Sequence, residues 1–313
     1  MRNLRRDLTW IGLAYVAYLV VSALSQTGIA MITSWLIPWI GHDAWMVLCI
    51  IFMYPLALFL YWLILQMVPK ARQNWTYPMG VGRFLGWFVI CMGGVYFGNL
   101  IGQFLMAVVS AITGQPMVNQ VEEMIMDMSL WAVILSAVIL APIMEELIFR
   151  KLVLDRLAGY GPAVAMVVSA LVFGLAHGNF YQFFYAFLLG LIFAYIYLRT
   201  GKVRYSMMLH MMVNFCGSVI PILLLRVADE NEVAAILASV TQLTFMGVFM
   251  LGGLILFICK WKEIKTYVHG NTVRGWRSKR PRSKRGISWV LSAMRTAIKF
   301  AKTLNLKWLA STR

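Results

Sequence analysis

The feature that most limits what this chain can fold into is a series of apolar runs too long for the core of a small soluble domain. Crossing the ~30 Å hydrocarbon layer of a bilayer takes about 20 mostly apolar residues in a helix. Eight stretches have this character: residues 8–39, 44–68, 84–113, 129–157, 162–179, 181–199, 204–226 and 232–259. The first reads either as one long helix or as one crossing with an interfacial extension. It continues well past the length of a cleavable leader and lacks a clean small-residue cleavage site, so it is expected to stay as a helix. With 61% of 313 residues hydrophobic and 13% charged, the chain is excluded from the ordinary soluble class. The expected fold is all-α, a polytopic membrane protein of about eight transmembrane helices.

The charges order these spans. Arg2, Arg5 and Arg6 precede the first; Lys70, Arg72 and Arg83 lie between the second and third. Arg150, Lys151 and Arg156 end the fourth, and Arg199, Lys202 and Arg204 join the sixth to the seventh. The tail from Lys260 onward holds fifteen more basic residues. The opposite loops carry Arg226 alone among basic residues, against Asp43, Glu122, Glu123, Asp127, Asp229, Glu230 and Glu232. Basic residues gather on the cytoplasmic side of membrane proteins, so both termini are expected there. The division is then a membrane domain over 1–259, with a catalytic core at about 129–226, and a basic cytoplasmic tail over 260–313.

The net charge of +16 follows this one-sided distribution. It points to anionic lipid as the partner of the tail and away from nucleic acid. Within the tail, Val290, Met294, Ala297, Ala301, Leu304 and Trp308 share a helical stripe, with Arg295, Lys299 and Lys302 elsewhere. That is the pattern of a helix lying in the membrane interface, as an anchor or partner contact; a tail that serves solubility alone has equal standing. Cys49, Cys91, Cys216 and Cys259 lie in apolar spans without CxxC spacing and read as small buried hydrophobes. The glycines of GGVYFGNLIG, with Gly252 and Gly253, predict close helix contacts.

What the bilayer does not explain is the polar content of the second half. An ionisable side chain at bilayer depth costs at least about 2.5 kcal/mol and marks a functional candidate. Away from span ends these reduce to Glu145 and Glu146, with Arg150 one turn on, joined by His177, His210 and Asn214. Glu146 and Arg150 stand at i and i+4 and can pair, whereas Glu145 is rotated by about 100° and projects elsewhere. His210 and Asn214 repeat the i, i+4 interval, as do Phe173 and His177. At about 1.5 Å per residue, with the fourth and fifth spans turning at AGYGP, Glu145, His177, His210 and Asn214 can meet in one layer. Such a set suits hydrolysis: a carboxylate and imidazole to take a proton from water, and an amide and second imidazole to donate to an oxyanion. Glu145, His177 and His210 also have the composition of a zinc triad with an open fourth position, though HExxH is absent.

The ordered set EELIFR (Glu145, Glu146, Arg150), FGLAH (Phe173, His177) and HMMVN (His210, Asn214) resembles the EExxxR, FxxxH and HxxxN motifs of the CPBP family, the CAAX prenyl endopeptidase and bacteriocin-processing intramembrane proteases. The resemblance covers about residues 130–218, and the eight apolar runs match that family's eight-helix fold. It implies an intramembrane endopeptidase acting on a membrane peptide or protein. In it Glu145 is the base that activates water with His177, His210 and Asn214 form the oxyanion site, and Glu146, Arg150 and Phe173 support them. Of the two mechanisms argued for the family, metal-free and zinc-dependent, the metal-free one is favoured here, because Asn214 suits an oxyanion better than a metal. The competing classes are a non-catalytic scaffold or bacteriocin immunity protein, and a proton-coupled transporter. The concentration of polar residues in one half counts against the transporter, whose type shows two similar halves.

Overall fold

The computed structural model describes residues 3–37, 39–71 and 77–269. Nine helices make up this region: α1 (Leu4–Leu36), α2 (His42–Leu65), α3 (Val81–Thr113), α4 (Gln120–Asp127), α5 (Leu130–Tyr160), α6 (Pro162–Ala176), α7 (Phe180–Thr200), α8 (Val203–Ala228) and α9 (Glu232–His269). Seven are long and apolar enough to cross a membrane, and α6 is a shorter apolar helix. The chain is an all-α, multi-pass membrane protein. The stripe proposed for the tail lies outside the described residues.

The eight apolar runs appear as eight helices, with four differences from the sequence reading. The first is one uninterrupted helix ending at Leu36 rather than 39. The last continues to His269, ten residues past the expected end of that span at 259, because nothing in KWKEIKTYVH breaks a helix. The short α4 was not anticipated; its polar and apolar residues fall on opposite faces, as in a helix lying at an interface. Cys259 is exposed on α9, not buried, whereas Cys49 and Cys91 are buried as expected.

Helix α5 is the hub, touching α2, α6, α7 and α8. Around it α1 packs on α2, α3 on α7 and α9, and α8 on α9. With little hydrophobic drive between helices in lipid, close approach through small residues decides which surfaces meet. A Cβ on Gly98 would stand 2.5 Å from the backbone of Tyr185, and one on Gly102 2.8 Å from the Tyr181 carbonyl, so α3 lies directly on α7. Gly93 meets Gly253 of α9 in the same manner, and Gly190 of α7 meets Ala170 of α6.

Two buried charges fix the ends. Arg156, fully buried near the close of α5, donates from Nε to the Leu65 carbonyl (2.7 Å) at the C-terminus of α2, where a cation meets the negative end of the helix dipole. Asp7, also fully buried, accepts from the Tyr160 hydroxyl at 2.5 Å and pairs with Arg6 at 3.3 Å, tying the start of α1 to the end of α5.

Candidate active site

Helix α5 is not a regular α-helix. It widens into π-type turns over Ile134–Leu140 and again over Leu147–Leu154, leaving Ala141–Glu146 as an α-helical island that ends on the two glutamates. A third wide turn, Phe215–Val219, follows Asn214 in α8. Single π-turns are rare and gather at functional sites, because each offsets the side-chain register and frees backbone groups.

One such freed group has a specific cause. In the first wide turn the Ala141 N–H donates to Ser136 five residues back. The carbonyl of Ala137 would then take its bond from residue 142, but Pro142 has no N–H. Asn214 Nδ2 supplies the missing donor at 2.8 Å. One N–H of Asn214 thus locks α8 to α5 about two turns before the glutamates, and the second N–H of the same amide is left to donate elsewhere.

The two glutamates face different partners, as their 100° offset requires. Glu146 is fully buried: one oxygen pairs with Arg150 Nε at 3.1 Å and the other meets His210 Nδ1 at 3.3 Å. Arg150, equally buried, lies over the rings of Phe173 (4.4 Å) and Phe193 (5.3 Å), whose faces attract the guanidinium. Glu145 has a side chain 23% exposed, and its Oε2 stands 3.8 Å from His210 Nε2. That gap is too long for a direct hydrogen bond and short enough for one water to touch both groups. Since a carboxylate can only accept, the hydrogen bond at Glu146 places a proton on His210 Nδ1 and turns Nε2 toward Glu145.

His177 does not sit inside a span. Helix α6 stops at Ala176 with His177 as its C-cap, Gly178 takes φ +73°, and Asn179 caps α7 by accepting from Gln182 N–H at 2.8 Å. The α6–α7 turn touches Gly102, 11 residues short of the end of α3, so it is recessed by about 16 Å from that end. Met117, in the segment after α3, folds back to it, its carbonyl accepting from the Tyr181 hydroxyl at 2.5 Å. Non-helical backbone at such depth is tolerated where it is buried in protein or lines a cavity.

The positions read from the sequence therefore gather unevenly. Glu145, Glu146, Arg150, Phe173 and His210 form one contact set, in which the Phe173 ring stands edge-on to both His177 (5.0 Å) and His210 (5.8 Å). His177 hydrogen-bonds through Nδ1 to the carbonyl of Phe173 (2.9 Å), leaving Nε2 open, and makes no ion pair with Glu145. Asn214 is bonded to α5, not to His210. Tyr15 and Tyr18 of α1, Tyr54 of α2 and Tyr185 of α7 lie within electrostatic range of Glu145. Sequence reasoning missed these tyrosines, because a tyrosine in a span carries no charge and resembles packing.

A catalytic zinc takes three protein ligands and an open position. No group of three His, Cys, Asp or Glu side chains is arranged to hold a metal among the described residues. Both oxygens of Glu146 are already engaged, and His177 turns one nitrogen to its own helix. Glu145 and His210 Nε2 remain as a pair of free donors, so the residues present do not fit the triad.

Residues 127–216 match a family model described as "Type II CAAX prenyl endopeptidase Rce1-like". Over 84 residues the chain is 31% identical to a protein of Bacillus subtilis (strain 168) named "Putative membrane peptidase YdiL"; the match spans 26% of this chain and about a third, 34%, of that protein. No solved structure matches. All seven site positions, from Glu145 to Asn214, lie within the matched segment, which is similar to the CAAX prenyl endopeptidase family over that stretch.

Proposed function

We propose that this protein is an intramembrane endopeptidase that hydrolyses a peptide bond of a membrane-associated or hydrophobic substrate by a glutamate-dependent route. The observation that carries the proposal is the division of labour between the glutamates: Glu146 is consumed by Arg150 and His210, while Glu145 is partly exposed and shares His210 Nε2 across 3.8 Å. A water held between Glu145 and His210 gives its proton to Glu145 as its oxygen attacks the carbonyl carbon. The same proton then passes to the leaving amine.

Glu146 holds the His210 ring in one orientation, and Arg150 balances the buried carboxylate, so the first contact set is fixed before substrate arrives. The second N–H of Asn214 and the Nε2–H of His210 in its imidazolium form, with Nδ1–H still on Glu146, are the donors for the developing oxyanion. His177, with Nε2 open, is the second imidazole beside the attacking water. The termini face the cytoplasm, and the basic tail rests on anionic lipid.

The test compares membranes from cells producing wild-type protein or Glu145→Gln. New peptide N-termini are expected within or beside hydrophobic segments in the wild type alone, with the uncleaved substrate retained by Glu145→Gln. Equal sets of termini from both would sink the proposal. His177→Ala is expected to lose cleavage in the same assay while still accumulating in the membrane.

A further inference from the structure

Away from the glutamates, at the face where α7 ends, two adjoining hollows of about 420 and 170 Å³ open between α3, α7 and the last turns of α9. They share a wall made by Arg199 and Glu263. Around them stand four cations, Arg83, Arg199, Lys260 and Lys262, and one carboxylate, Glu263, so four minus one leaves a charge of +3. The carboxylate is already spent: Glu263 Oε1 accepts from Arg199 Nη2 at 3.2 Å and from the Tyr195 hydroxyl at 3.3 Å. Among the described residues, Arg83, Lys260 and Lys262 have no carboxylate partner.

The cations are held rather than loose. Lys260 Nζ lies over the Trp87 ring at 5.6 Å, and the Arg199 guanidinium over Tyr267 at 5.1 Å. Trp87 is itself buried and packs on buried Tyr195, with ring centroids 5.2 Å apart, giving the smaller hollow a rigid aromatic floor. Immediately before Lys260, α9 exposes Leu254, Ile255 and Ile258, each by more than half. Ile258 and Ile255 stand four and seven residues before Lys262 on one face of α9, so the larger hollow adjoins an exposed apolar strip through Lys262.

We propose that this hollow binds the phosphate of an anionic phospholipid, with the acyl chains laid along the exposed apolar face of α9. Phosphate is the chemistry that three uncompensated cations recognise, one of them, Lys260, held over the Trp87 ring, and basic pockets between transmembrane helices take such headgroups. The apolar strip selects a lipid over a free phosphate ester, because it would remain bare beside a soluble ligand.

The full chain, purified and analysed by native mass spectrometry, is titrated with phosphatidylglycerol and with phosphatidylcholine of the same acyl chains. Retention of phosphatidylglycerol is expected at concentrations at least about tenfold lower. Arg83→Gln/Lys260→Gln abolishes that preference, Arg83→Lys/Lys260→Arg keeps it, and Lys70→Gln, on an exposed basic residue outside the hollow, leaves it unchanged. Excess glycerophosphate fails to displace the bound lipid; full displacement by it would overturn the assignment to lipid. Equal retention of the two lipids, or a preference surviving in Arg83→Gln/Lys260→Gln, would overturn the site itself. The charge-conserving pair separates loss of binding from loss of folding.

Discussion

Replacing Arg150 by Leu removes the partner of a carboxylate that has no access to solvent. In the native protein Glu146 has one oxygen on Arg150 and the other on His210. Leucine leaves the first oxygen bare, and breaking a buried pair from one side costs about 3–5 kcal/mol. The lost stacking on Phe173 and Phe193 adds about 1–2 kcal/mol. Glu146→Gln alone strands the arginine at a similar cost of about 3–5 kcal/mol. In the double variant neither charge remains, so its loss is smaller than the sum of the singles by about 3 kcal/mol. Equilibrium unfolding in mixed micelles with an anionic detergent, followed by tryptophan fluorescence, measures all four proteins. A double variant as unstable as the two singles added together would refute the reading of Glu146 and Arg150 as a coupled buried pair.

Other outcomes follow from the same contacts. Glu145→Gln is expected to abolish peptide-bond cleavage in reconstituted vesicles while moving stability by no more than about 0.5 kcal/mol, since that side chain is partly exposed and unpaired by hydrogen bonds. Asn214→Leu strands the Ala137 carbonyl and costs about 1–3 kcal/mol in the micelle assay; on a Pro142→Ala background, where residue 142 regains its N–H, the penalty shrinks by at least half. Gly98→Ala drives a Cβ into the Tyr185 backbone and costs about 1–3 kcal/mol, whereas Gly217→Ala, with nothing within 4 Å, is neutral or stabilising.

Much of the fold was legible because lipid imposes a simple rule on composition. The length of each apolar run gave its helix, and small residues such as Gly98 and Gly253 marked where helices touch. The pairing of Glu146 with Arg150 was likewise readable, since i, i+4 spacing on a helix leaves the two side chains little choice. Other features depend on register, which spacing alone does not carry. The wide turn over Ile134–Leu140 offsets the side chains that follow it, both glutamates among them, and His210 ends between the two instead of serving Glu145 alone. The break between the fifth and sixth runs was expected at residue 180 and falls earlier, after Ala176; Gly178 followed by Asn179 was the local signal for the earlier stop. The burial of Asp7 and Arg156 was equally hidden, because both are near span ends where charge is ordinarily solvated.

The bond from Asn214 to Ala137 ties together two positions 72 residues apart in the sequence, 142 and 214. A proline at the first creates a demand that the second answers, so the pair forms one unit of inheritance. A descendant that lost hydrolysis but kept Pro142 would still be under selection to keep an amide at 214. Among diverging copies of this chain, a persistent asparagine there is a record of backbone repair as much as of chemistry, and the silencing of catalysis would be written first at Glu145.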